Sequence, residues 1–162
     1  MMSALEQFET VWTRENATTR RVLHAIPADQ AEFRPVEGLK NARELSFVFV
    51  LGQGGMAAAL NDTWEWPPNF PKAPASLAEV QRAFDASTKA VKEAIAKASD
   101  KRMDAKVMFF VGPKTPGELS VAQICWFMLH DSIHHRGQLS TYLRLMGAPV
   151  PSIYGPSAAE PW

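Results

Sequence analysis

The chain has 162 residues, 46% of them hydrophobic, and its 17 basic side chains are balanced by 17 acidic ones. That balance excludes a strongly basic protein built for nucleic acid or an anionic membrane, and the hydrophobic content excludes wholesale disorder. A single cysteine, Cys125, excludes an intrachain disulfide and points to a reducing cytoplasm.

The length suits one domain, residues 1–162, with enough chain to bury a core. The N-terminus MMSALEQFET has neither the charged leader nor the apolar stretch of a secretory signal. Residues 47–60, FVFVLGQGGMAAAL, are too few and too rich in glycine for a membrane span. The expectation is a soluble cytoplasmic protein with no nucleic-acid or membrane partner.

Ser3 and Glu6 have the spacing of a capping box, in which each side chain satisfies a free amide of the first turn. Leu5, Phe8, Trp12, Thr19, Val22 and Ile26 follow at helical intervals, which predicts an amphipathic helix over 4–26 that Pro27 stops. Residues 27–40 form an irregular connector. Asn41 and Glu44 repeat the capping spacing and open a second helix, over 42–61. Gly52, Gly54 and Gly55 each weaken that helix by roughly 1 kcal/mol relative to alanine, so close approach of another backbone is expected there. The proline-rich run 63–76 crosses to a third helix, over 77–98, which Ser76 and Glu79 cap and whose buried stripe is Leu77, Val80, Phe84, Val91 and Ile95. Lys106–Val111 is extended, as a short strand or a packed linker. Thr115, Pro116 and Glu118 have the order of a helix start, which predicts that the last helix begins there. Gly147 closes it after Met146. Four long helices with two crossovers predict an all-α, antiparallel four-helix bundle with an extended C-terminal tail.

The last helix carries three of the four histidines. At 100° per residue, His130 and His134 share one side with Gln123, Phe127, Gln138 and Thr141. The other sides are largely apolar, as in a helix buried on several faces, so this strip is expected to line a pocket or an interface. Imidazoles at i and i+4 stand about 6 Å apart at Cβ and are able to share one transition metal. The alternative is an ordinary hydrogen-bonded pair with no metal. His135 lies roughly 140° away from His130, on the side of Asp131, and is expected to form a helix-surface pair with it. Arg136 is expected at the surface or an interface, and Gly137 at a close helix or ligand contact. Cys125 falls among apolar residues and reads as core. His24 reads as a partly exposed residue of the first helix. Val150–Pro156 cannot be helical yet carries Ile153 and Tyr154. This tail is expected to fold back along the bundle and help close the pocket.

HDSIHHRGQLSTYLRLMGAPVPSIYGPSA, residues 130–158, resembles the C-terminal signature of the DinB/YfiT-like family. The ARELSF opening of the second helix and TPGELS before the last fit the same pattern. The resemblance implies an antiparallel four-helix bundle, often dimeric, with a divalent metal such as zinc or nickel held by three histidines. It implies metal ligation by His130 and His134, with the third ligand from the second helix. Characterised relatives are transferases and an isomerase that use low-molecular-weight thiols. This sequence departs from the family there: the second helix has no histidine, and Val48 stands where the ligand would align.

Two functions therefore compete. One is a metal-dependent transferase or hydrolase with an incomplete histidine site. The other is a metal-free bundle, a homodimer that binds a small molecule in a pocket lined by Val48, Gln53, Phe127, Gln138 and Thr141 or that serves only as structure.

Overall fold

A computed structural model of the chain describes residues 2–162. Helix α1 runs Ala4–His24, α2 Ala42–Leu60, α3 Leu77–Lys97 and the short α4 Asp100–Asp104. Strands β1 (Lys106–Gly112) and β2 (Thr115–Ser120) follow, and α5 (Val121–Leu145) precedes the tail. The fold is mostly helical, but the hairpin means that it is not all-α.

The capping pairs Ser3–Glu6, Asn41–Glu44 and Ser76–Glu79 all form reciprocal hydrogen bonds at the starts of their helices. The expected start of the last helix at Thr115 is corrected. Residues 115–120 pair antiparallel with β1, Phe109 facing Gly117 and Phe110 facing Pro116. The extended backbone of 106–111 needs hydrogen-bond partners, and pairing with the next segment supplies them. Gly117 allows the close packing, since a Cβ there would lie 2.8 Å from the Val111 methyls. The cap of α5 is Ser120 with Gln123, further along the chain than Thr115.

The core consists of two apolar clusters. Phe8, Trp12, Met56, Ile95, Ile124 and Leu129 belong to one, next to α4 and the hairpin. Val22, Leu23, Phe49, Phe84, Leu139 and Leu143 belong to the other, on which Val150 and Ile153 of the tail also pack. On α1, α2 and α5 alike, buried polar residues fall between the members of the two clusters. They are Glu15 and Thr19, then Gln53, then Ser132 and Arg136. A polar layer therefore crosses the interior, and its charges must be paired to be tolerated there.

The run 63–75 packs beside α2. Trp64 Nε1–H donates to the Met108 carbonyl at 2.9 Å, and Trp64 and Trp66 meet Phe109 edge-on. Arg43 donates to the Pro74 carbonyl at 2.7 Å. The crossover is thus fixed to the hairpin at one end and to α2 at the other.

Candidate functional site

The histidine strip does not face the interior. His130, His134, Gln123, Gln138 and Thr141 are exposed, and Phe127 is 49% exposed. The buried side of α5 is instead Cys125, Leu129, Ser132, Arg136, Leu139 and Leu143. At 100° per residue the strip lies opposite that side. The reason is the polar layer: Ser132, Arg136 and Ser140 take interior positions, which leaves part of the apolar surface of α5 outside. The His130 ring is 5.8 Å from the Trp126 ring, and Gln138 Nε2 donates to His134 Nε2 at 2.9 Å.

His135 pairs with Asp131 as expected. Its Nδ1 is 2.8 Å from the Asp131 carbonyl and 3.3 Å from Asp131 Oδ2. A Cβ on Gly55 would meet Met128, and one on Gly52 would meet Ser132, so α2 and α5 run antiparallel through these positions. One turn on, helix periodicity brings Val48 to the level of His135. At that level α2 offers hydrocarbon. Among the described residues no three His, Cys, Asp or Glu side chains come together as a metal site. The donors present do not fit a three-histidine centre.

The glycines of α2 divide by role. Gly52 lies where a Cβ would be 3.4 Å from Ser132 Oγ, which accounts for the close approach of α5. A Cβ on Gly54 would meet nothing within 4 Å, because Gly54 opens onto a cleft. Gly137 likewise has open space and no close neighbour, contrary to expectation. Gly137→Ala is therefore expected to stabilise the protein by about 1 kcal/mol, read as a higher urea midpoint. A lower midpoint would show that the glycine is needed at this site.

The cleft lies between α2, the 63–71 segment, Phe109 and Met128. Its volume is about 330 Å³, and Phe47, Leu51, Ala58, Trp64 and Phe70 form much of its wall. Through Phe47, Leu51, Phe70 and Pro71 it continues into an outer groove of about 760 Å³ that contains Val48, Arg34, Lys40, Arg43, Glu44 and Lys72. Of the residues expected to line a pocket, Val48 alone borders this space. Gln53 lies in a separate interior chamber with Trp12, Asn16, Thr19 and Ser132. Neither polar atom of the Gln53 amide has a protein partner. The tail does not border the cleft either, because the groups that hold it are on α1 and α5.

Those groups were missed in the sequence. Arg136 is 1% exposed and Glu15 is 3% exposed. Arg136 Nη2 donates to Glu15 Oε2 at 2.7 Å and to Tyr154 Oη at 2.7 Å, while Nη1 donates to the Glu15 carbonyl at 3.0 Å. Tyr154 Oη–H donates to the same carboxylate at 2.7 Å. Burial pushes the Glu15 carboxyl up, but the hydrogen bonds from Tyr154 and Arg136 outweigh it and hold the group below its usual range. Cys125 is buried in the core and its thiol is pushed up to about 12 by that burial, so it is no nucleophile at neutral pH.

The family model described as the DinB family matches residues 1–162. The chain belongs to the DinB family. It is 22% identical over 163 residues to the uncharacterized protein YrdA of Bacillus subtilis, covering 100% of this chain and 94% of that protein. A DinB-like protein from Bacillus cereus shares the fold with a TM-score of 0.73 at 19% identity, over 92% of this chain and 97% of the other. The DinB-like protein YjoA of Bacillus subtilis gives 0.72 at 15%, over 91% and 96%. A mycothiol-dependent maleylpyruvate isomerase variant gives 0.65 at 14%, over 86% of this DinB chain and 63% of that one. No helix in the described residues of this DinB protein is long and apolar enough to cross a membrane.

Proposed function

We propose that this DinB protein binds a small molecule in the cleft on the outer side of α2, without a three-histidine metal centre, and that its four long helices form one antiparallel four-helix bundle. The observation that carries the reading is Val48, a hydrocarbon side chain on the edge of the groove. The apolar wall and modest volume suit a small ligand. Among the described residues lining the cleft, only Thr63, Glu65 and Asn69 have polar side chains, which favours holding a molecule over transforming it. The competing reading, a metal-dependent transferase or hydrolase, is supported by His130 and His134 one turn apart on α5, both exposed.

Nile red, a neutral dye that fluoresces in apolar surroundings, separates the two. Titrated into protein held in EDTA, it is expected to bind saturably at one site. Affinity in His130→Ala, His134→Ala protein is expected to be unchanged. Loss of binding on chelation or in that double variant would move the site to the imidazoles.

A further inference from the structure

Resting on the cleft reading above, we infer that the ligand is an amphiphilic anion: an apolar body in the cleft with a carboxylate head in the outer groove. The two spaces are continuous through Phe47, Leu51, Phe70 and Pro71, so one molecule is able to occupy both. Their chemistry differs sharply. The inner part is walled mostly by aromatic and aliphatic side chains, with Thr63, Glu65 and Asn69 as its polar members, whereas the outer part gathers Arg34, Lys40, Arg43 and Lys72 against one lining carboxylate, Glu44. In a chain with no formal net charge, this is a local concentration of positive potential.

The four cations are not equally available. Arg43 Nε lies 2.7 Å from Glu32 Oε1, and its Nη1 is used by the Pro74 carbonyl. Arg34 Nη2 is 3.9 Å from Glu44 Oε2. Lys40 and Lys72 make no ion pair among the described residues, and both are exposed beside the groove. A carboxylate there would gain charge-assisted hydrogen bonds that a neutral head could not. The apolar cleft that adjoins the lysines' groove accounts for the second half of the ligand.

The test compares decanoate with decanol as competitors for bound Nile red, below their micellar concentrations and at low salt. Decanoate is expected to displace the dye at about tenfold lower concentration than decanol, and added salt should shrink that advantage. In Lys40→Glu, Lys72→Glu protein the advantage should vanish while decanol competes as before. Equal competition by the two on the wild type, or an advantage that survives the charge reversal, overturns the inference and leaves the cleft reading standing. Nile red binding that ignores a Gly54→Leu substitution projecting into the cleft overturns both.

Discussion

Replacing Arg136 by alanine is expected to destabilise the protein by about 3–5 kcal/mol, the usual cost of removing one partner from a buried ion pair. Urea unfolding followed by circular dichroism measures it. The guanidinium is 1% exposed and serves the Glu15 carboxylate, the Glu15 carbonyl and the Tyr154 hydroxyl together. Its removal leaves the buried Glu15 carboxylate with the Tyr154 hydroxyl and the exposed Arg14, whose Nη2 lies 3.2 Å from Oε1. The pH dependence carries a definite sign. In the wild type the Glu15 carboxyl sits below its usual range, so its contribution is present above the ordinary carboxylate pKa and is lost as pH falls through the lower folded value. In Arg136→Ala protein two of the groups that hold the carboxyl down are lost, the hydrogen bond and the charge of Arg136, so the carboxyl moves up and protonation costs less. The gap between variant and wild type should therefore narrow as pH falls. A loss below about 1 kcal/mol, the scale of an exposed pair, would show that the pair is solvated.

Truncation after Pro149 is expected to cost about 2 kcal/mol, from the lost Tyr154 hydrogen bonds and the packing of Val150 and Ile153. For a chain of this size that is a fall in Tm of about 4–8 °C. The tail is held at several points: Arg21 Nη1 donates to the Ser152 carbonyl at 3.2 Å and Arg21 pairs with Glu160, while the Arg136 guanidinium lies 5.2 Å from the centre of the Tyr154 ring. Burial and the hydrogen bond to Glu15 raise the Tyr154 phenol above its usual range. Its contribution is therefore complete below the ordinary tyrosine pKa and is lost as pH rises through the higher folded value. The gap between full-length and truncated proteins should narrow in strong alkali without closing, because the packing of Val150 and Ile153 does not titrate. An unchanged melting curve on truncation would mean that the tail contributes nothing.

The helices were legible in the sequence wherever local chemistry decides. Ser3, Asn41 and Ser76 each sit three residues before a glutamate, and the expected reciprocal caps are there. Thr115 imitated such a start, but a cap competes with strand pairing, and Phe109 and Phe110 find their partners across a hairpin. The orientation of α5 was not legible. Its interior is marked by Arg136, a residue type ordinarily outside, whose partners lie 121 residues earlier on α1 and 18 residues later in the tail. With an arginine read as surface, the histidine strip was assigned to the inside. The cleft was partly legible. Val48 marked the missing ligand, and the glycines of α2 marked something unusual on that helix. Its walls, however, come from the 63–71 crossover and the hairpin, whose placement depends on Trp64 reaching the Met108 carbonyl.

Nile red titration of Gly54→Leu protein against the wild type, both in EDTA, tests the site most directly. Gly54 is exposed in a helix, and a Cβ there meets no neighbour within 4 Å. The substitution should thus raise stability by about 1 kcal/mol while its isobutyl group projects into the cleft and occupies part of it. The account predicts dye affinity at least about tenfold weaker in a protein that melts no lower. Undiminished affinity in that folded variant would contradict it.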